Sequence, residues 1–414
     1  MQKLEGVAIP MKLDLSNINV LAGSKDFILL KDQEVLTPFN DYIVSFLSQL
    51  SRTLFADKEA KQFPDIITFS FFCRMANLKT LRDRYTDILD RSLGRGVSFH
   101  VTPSNVPINF AYSLIMGLLA GNICIVRVSS KEVPQTEIIC NAINKVIKRS
   151  EFSGVKNYLS ILRYEHNADL NSFFSGFCDV RVIWGGDQTI DKIREAKIPS
   201  RAFDITFADR FSGCIIKAKG FLQLEDKSNI TETFYNDTFL FDQNACSSPS
   251  FIYWLGDLES IREAKNIFWK DLQLFLDLKK YELEPLLAIE KLMSAHRAAI
   301  DIDGTNLIGP NNNLIYRVEL NSLPSDLYLR KQAGGFFYEF SSDTINDIFK
   351  VMSSKFQTLT HIGFDRDNNL KNEILKAGVR GVDRVVKSGE SMTFDPVWDG
   401  VDLIRQMSRI IDYR

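Results

Sequence analysis

Between residues 97 and 196 the chain alternates short apolar runs of strand length with stretches of helical period, and this rhythm restricts its fold more than any other feature. Val97, Phe99 and Val101 alternate with polar neighbours, the period of a strand with one buried face. Thr102-Pro-Ser-Asn-Val-Pro107 is a turn, and Pro107 suits a first helical position, where its missing N–H costs nothing. Residues 108–120 read as a buried helix stopped by Gly121-Asn122. Residues 123–128 are almost wholly apolar, as expected of a strand covered on both faces. Residues 135–148 then place Ile138, Ile139, Ala142, Ile143, Val146 and Ile147 on one helical face. A strand at 158–162, a short helix at 169–177 and a strand at 180–184 follow. Gly185-Gly186-Asp187 turns the chain into a helix over 189–196, with Asp187 as its cap. Strand, helix, strand, helix at this spacing means an α/β fold with a parallel sheet and crossover helices.

Past residue 205 the rhythm changes, which places a domain boundary there. Residues 212–218 read as a strand, followed by a loop with acidic residues to about 233. Phe239-Leu-Phe-Asp-Gln-Asn-Ala-Cys-Ser-Ser-Pro249 leads into a strand at 251–255 and a long amphipathic helix at 257–278. Further strands are expected at 336–340 and 361–364, and a helix at 368–377. There is no internal repeat and no low-complexity linker.

Composition narrows the function. Fifty basic against 52 acidic residues leave a net charge of −2, no field to hold a nucleic-acid backbone. Thirty-one Phe supply substantial cores and leave room for an apolar substrate channel. Residues 96–126 carry no charged side chain, but Pro103, Pro107, Gly121 and Asn122 cut them into pieces too short to cross a bilayer. The opening MQKLEGVAIPMKLDLSN lacks the apolar core of a signal peptide. A soluble, cytoplasmic protein with no transmembrane segment is the expectation. Cysteines at 73, 124, 140, 178, 214 and 246 form no CxxC, which suits reduced protein with one functional thiol among inert ones. The four histidines are scattered and no metal site is expected.

Two segments carry a resemblance. Thr102-Pro-Ser-Asn-Val-Pro, an apolar helix ending in Ala120-Gly121-Asn122 and then Ile-Cys-Ile-Val-Arg-Val-Ser-Ser resembles a pattern of the aldehyde dehydrogenase superfamily. Gln243-Asn-Ala-Cys246 is similar to that superfamily's nucleophile loop. The forms Asn105-Val-Pro107, Gln243-Asn-Ala-Cys-Ser-Ser-Pro249, Gly381-Val-Asp-Arg-Val-Val and Trp398-Asp-Gly400 resemble more closely the LuxC-like acyl-CoA reductases, over roughly residues 90–414. The resemblance implies an aldehyde dehydrogenase-like fold: a Rossmann-type NADP(H)-binding domain over 1–206, with the tail 385–414 packing back on it, and an α/β catalytic domain over 207–384. It implies NADPH-dependent reduction of an acyl thioester to an aldehyde through an acyl-cysteine.

The residue chemistry bears on each role. Cys246 lies in a polar loop, as an accessible nucleophile must, although a buried structural thiol is the plainer alternative. Asn105, on a turn feeding a helix, suits either an oxyanion donor or a turn cap. Gly185 and Gly186 fit either a tight turn or a close backbone approach to a pyrophosphate. The superfamily's Lys-Pro-Ser-Glu becomes Arg127-Val-Ser129-Ser130; without the acid, and with Arg127 as a cation, NADPH is favoured over NADH. The resemblance also places Glu339 at the cofactor. Oxidising members carry a Glu that activates water, but 206–213 has none, only Asp209, which favours the reductive direction. The acyl donor is expected to be acyl-CoA or an acylated ligase partner, and the chain to form a homo-oligomer, in complex with an acyl-activating ligase or alone. A non-reducing acyl-carrier subunit and an oxidising aldehyde dehydrogenase remain the alternatives.

Overall fold

The computed structural model describes residues 15–308, 313–364 and 369–414. Most of the opening segment read for a signal peptide, and Asn368, lie outside them. The chain divides into two compact units, one running to Ala208 and taking in Val401–Arg414, the other Asp209–Gly400. Residues 385–400 therefore belong to the second unit, whereas the sequence assigned them to a returning tail. The reason is that Arg384–Lys387 is an edge strand of the second sheet.

The first unit contains strands β1 (Asn19–Gly23), β2 (Ser92–Gly94), β3 (Val97–Val101), β4 (Ile123–Val128), β5 (Leu159–Arg163), β6 (Val180–Trp184) and β7 (Phe203–Phe207). Six of them form a sheet in the order β1-β5-β4-β3-β6-β7. The chain winds outward from β3 on one side through β4 and β5, then crosses to β6 and β7 on the other, all in parallel. This is a doubly wound sheet with its switch point beside β3. An antiparallel edge strand, β1, closes it, and β2 pairs with the returning Ser408–Ile410. Neither was legible from periodicity.

Crossover helices at Asn109–Leu119, Pro134–Ile147, Ala168–Ser175 and Asp187–Arg194 follow the expected rhythm. Two local expectations are corrected. The first helix starts at Asn109 with Ile108 as N-cap, so Pro107 lies before it. The last is capped by Gly186, and Asp187 sits inside its first turn, where a carboxylate still complements the helix dipole.

Strand β3 was expected to bury one face, but all five of its residues are buried, because helices cover both sides. Its polar members pair with one another. His100 is fully buried between the Ser113 hydroxyl on Nδ1 at 2.7 Å and the Ser98 hydroxyl on Nε2 at 2.8 Å. Trp184 Nε1 also donates to Ser113 Oγ at 3.0 Å. On the other face Phe174 packs its ring against Phe27, Phe99, Phe173 and Phe177.

The second unit holds β8 (Phe211–Lys217), β9 (Pro249–Leu255), β10 (Asn306–Ile308), β11 (Tyr316–Glu319), β12 (Phe336–Ser342), β13 (Phe356–Ile362) and β14 (Arg384–Lys387). Their order is β10-β11-β12-β9-β8-β13-β14, parallel except for the β10–β11 edge pair. The expected loop after β8 is instead two helices, Ala218–Leu222 and Lys227–Thr238. The acidic residues mark their junction, where Asp226 caps the second helix by accepting from Asn229 N. The strand expected at 361–364 runs earlier, over β13, where Gln357, Thr358 and Thr360 are buried and masked the apolar signal. Among the described residues no helix is long and apolar enough to cross a membrane.

Burial depresses the His100 pKa from 6.5 to about 3, so the folded chain holds this imidazole neutral. The unfolded chain takes up a proton below pH 6.5 that the folded chain refuses, so this stability is complete above 6.5 and is lost as pH falls. At pH 5 the loss is roughly 2 kcal/mol. Urea midpoints at pH 7 and pH 5 should therefore converge in His100→Gln relative to the native chain.

Candidate active site

Because β8, β9, β12, β13 and β14 run parallel, their starting residues share one edge of the second sheet. The segment that delivers Cys246 reaches this edge at the head of β9. The helix Lys227–Thr238 stops at Phe239, and Asp242 and Gln243 then adopt left-handed backbone conformations, with φ of 49° and 61°. Such conformations cost non-glycine residues energy and persist only where neighbours dictate them.

Gln243 supplies that constraint. It is fully buried, and its side chain uses two donors and two acceptor positions. Nε2 donates to the carbonyls of Pro249 at 2.8 Å and Phe336 at 3.1 Å. Oε1 accepts from the N–H groups of Gly335 at 2.9 Å and Phe336 at 3.0 Å. Gly334 N also donates to the Asp242 carbonyl at 2.9 Å, and Tyr281 OH to Asp242 Oδ1 at 2.6 Å. The sequence showed Gln243 only as part of a resemblance; the structure gives it the task of riveting the loop to the head of β12.

Downstream the loop is held from other sides. Ser212 Oγ, at the head of β8, donates to the Cys246 carbonyl at 2.7 Å and accepts from Thr358 N at 3.1 Å. Lys331 Nζ donates to the Ala245 carbonyl at 3.3 Å, and Ser247 Oγ meets Met392 Sδ at 3.2 Å. Cys246 itself is half-buried, whereas the other five cysteines are fully buried. Desolvation pushes the thiols of Cys124, Cys178 and Cys214 up to about 12 and those of Cys73 and Cys140 higher still. A thiol nucleophile must be accessible and able to ionise, and burial works against both at these five.

The C-terminal motifs converge on the same edge. Arg210, just before β8, forms an ion pair with Asp383, and Gln357 Nε2 donates to Asp399 Oδ1. The Arg384 guanidinium lies 4.4 Å over the Trp398 ring and donates to the carbonyls of Ser391 and Thr393. Asp237 accepts from Gly389 N, Ser391 N and Ser391 Oγ, at 2.6, 3.0 and 2.8 Å. Burial raises both Asp237 and Asp399 to about 6. Asp209, the one acid in 206–213, is exposed.

Glu339 has a different setting from the one the resemblance suggested. It is fully buried within the second unit. Oε2 accepts from Trp254 Nε1 at 2.6 Å and Trp269 Nε1 at 3.2 Å, and Oε1 pairs with Arg317. With Lys265 at 3.6 Å as well, the carboxylate is committed to the core and closed to solvent.

The other sequence candidates lie at the carboxyl ends of β3, β4 and β6 in the first unit. Asn105 is exposed on the turn after β3, which Thr102 fastens by donating to the Arg127 carbonyl from N and Oγ1. Ser129 accepts from Lys131 N, and Arg163 donates to the Ser129 carbonyl while pairing with Glu132 and Glu137. A shallow recess opens here, lined by Thr102, Ser104, Phe110, Val128, Ser129 and Lys131 among others. Ser130, half-buried, follows Ser129 in that turn. Arg127 is only 6% exposed: Nη2 donates to the Tyr164 carbonyl at 3.2 Å, the guanidinium lies over the Tyr164 ring, and Nε has no partner. Gly185 and Gly186 form the half-buried turn between β6 and its helix, with Gly185 N donating to the Phe207 carbonyl. Lys131, Lys331 and Ser212 had no signal in the sequence, since their positions depend on strand order.

Two outcomes are expected of this geometry. In the native chain a small alkylating reagent should react quickly with one thiol of the six, Cys246, and with all six in denaturant, as mass spectrometry would show. Gln243→Ala strands buried backbone groups at about 1–3 kcal/mol each, so it should lower stability by about 3 kcal/mol or more in denaturant unfolding and remove the selectivity for Cys246.

The acyl-CoA reductase (LuxC) family profile matches residues 75–281, half of the chain. The long-chain acyl-protein thioester reductase of Vibrio harveyi is 24% identical over 338 residues, which cover 78% of this chain and 64% of that protein. Long-chain acyl-protein thioester reductase 2 of Photobacterium leiognathi is 25% identical over 332 residues, again covering 78% and 64%. The chain thus spans a little under two thirds of the relatives it matches. Among solved structures, an NAD-dependent benzaldehyde dehydrogenase from Corynebacterium glutamicum superposes with a TM-score of 0.60 at 10% identity, covering 91% of this chain and 85% of that one. Glyceraldehyde-3-phosphate dehydrogenase GapN from Methanocaldococcus jannaschii, complexed with NADP, gives 0.59 at 11%, covering 93% and 90%. These likenesses establish an aldehyde dehydrogenase-like fold, and with the profile match they make the chain a member of the LuxC acyl-CoA reductase family.

Proposed function

We propose that this chain reduces an acyl thioester to the aldehyde through an acyl group carried on Cys246. The observation that carries this reading is the anchoring of the one half-exposed cysteine in a loop saturated with hydrogen bonds. The Cys246 thiolate attacks the thioester carbonyl and the donor thiol departs, dividing one difficult reduction into two easier steps. The Cys246 backbone N–H and the side chain of Asn105 are the proposed oxyanion donors, the latter on the resemblance alone. The donor is acyl-CoA or an acylated ligase, consistent with the relatives' names as acyl-protein thioester reductases. A cytoplasmic location and a homo-oligomer belong to the same proposal.

The first unit supports a nicotinamide cofactor. Ligands of doubly wound sheets bind outside the carboxyl ends of the strands, which is where the recess beside Ser129 and the Gly185-Gly186 turn lie. That recess offers a cation on Lys131 and hydroxyls on Thr102, Ser104 and Ser129, a donor set that fits an anionic, ribose-bearing group. When bound, such a cofactor supplies the hydride that converts the acyl group to aldehyde. NADPH is the proposed form. Lys131, Ser129 and Ser130 would hold its phosphate, and the buried Arg127 would add positive charge beneath them. With no glutamate in 206–213 and Asp209 exposed, water is poorly activated and the acyl-enzyme persists until it is reduced.

Incubation with radiolabelled long-chain acyl-CoA should label Cys246 through a hydroxylamine-sensitive bond, and Cys246→Ser should lose both label and aldehyde formation. Full activity in that variant would end the proposal, and rapid release of free acid without reductant would redirect it to a hydrolytic enzyme. Lys131→Ala and Arg127→Ala should raise the KM for NADPH roughly tenfold or more while changing that for NADH less. Equal changes would remove the case for NADPH.

A further inference from the structure

One buried cation is not used by the mechanism above. Lys291, on the helix Pro285–Asp301, is fully buried, and its ammonium has no carboxylate partner among the described residues. Nζ donates instead to three backbone carbonyls, those of Asn313 and Leu314, each at 2.9 Å, and that of Gly334. The Tyr316 ring lies 5.3 Å away. Holding a charge out of water on carbonyls alone is costly, and burial lowers this ammonium to about 7. What the ammonium gives in return is local order: it draws three carbonyls from two separate segments onto one point.

The carbonyls it holds belong to the support of the nucleophile loop. Gly334 and Gly335 have φ of 79° and 81°, and the Tyr316 N–H ties Gly335 to the segment after Leu314. A Cβ on Gly335 would come within 2.3 Å of the Leu314 carbonyl oxygen, so the two segments are packed as closely as backbone allows. On its other side the same turn presents Gly334 N to the Asp242 carbonyl, and Gly335 N and Phe336 N to Gln243 Oε1. The ammonium and the strained Asp242-Gln243 pair thus grip one turn from opposite sides.

We propose that Lys291 is a positioning residue for Cys246: by fixing the Gly334–Gly335 turn it sets where the nucleophile loop, and hence the thiol, is held. The inference rests on the acyl-cysteine reading but can fail separately from it. A displacement of about 1 Å in a reacting group can cost up to a hundredfold in rate.

The test compares the native chain with Lys291→Met, Lys291→Gln and Lys291→Arg. Three readouts are followed: thermal unfolding, acylation of Cys246 by radiolabelled tetradecanoyl-CoA, and its alkylation by iodoacetamide. In folded Lys291→Met, or in Lys291→Gln where Met does not fold, acylation at saturating acyl-CoA should slow by roughly tenfold or more. The half-saturating acyl-CoA concentration should change less than threefold, alkylation should change in parallel, and Lys291→Arg should recover part of the rate. Native rates of acylation and alkylation in a folded neutral variant would overturn the proposal. So would failure of both neutral variants to fold, which would assign Lys291 to stability alone. If the native chain is never acylated, the acyl-cysteine reading falls, and the alkylation rates alone still decide whether Lys291 positions the thiol.

Discussion

The candidate site depends on the hydrogen-bond saturation of one buried amide. Gln243 sits in the core with both donors and both acceptors engaged, joining the head of β9 to the turn before β12. A buried amide with fewer partners would be a liability; fully satisfied, it specifies one loop geometry. It holds Asp242 and itself in left-handed backbone conformations that an isolated loop would abandon, and Cys246 follows three residues later.

The candidate residues lie at opposite ends of the parallel strands in the two units. The first gathers its candidates at carboxyl ends, after β3, β4 and β6, as doubly wound sheets do. The second gathers Cys246, Ser212, Arg210, Gln357, Asp383 and Arg384 at or just before the heads of β8, β9, β13 and β14. There the motifs after residue 380 find a physical role. Asp383, Arg384 and Trp398-Asp399 build a charged cluster beside the loop that ends at Met392, whose sulfur meets Ser247.

Legibility followed the range of the interactions. Long apolar periods such as Ile123–Val128 and the helix Pro134–Ile147 were recognisable, because their signal is local. Strand β13 was displaced in the sequence reading because its buried positions include Gln357, Thr358 and Thr360, satisfied only by neighbours such as Asp399 and the Gly213 carbonyl. Glu339 shows the same limit at the site. Its residue type suited a ribose, but Trp254, Trp269, Arg317 and Lys265 claim its carboxylate from 85, 70, 22 and 74 positions away.

The amino-acid sequence by itself determined the α/β class, the change of rhythm near 205, and the loop on which Cys246 stands. Each is written in local periods and turn residues within a few positions of one another. Tertiary structure alone decided that five of six thiols are closed off, that Arg127 turns inward to Tyr164, and that Gln243 and Lys291 meet across one glycine turn. Those outcomes depend on strand order and on buried polar groups finding partners far along the chain. No local pattern encodes which partner a buried donor will reach, and only the packed sheet settles it.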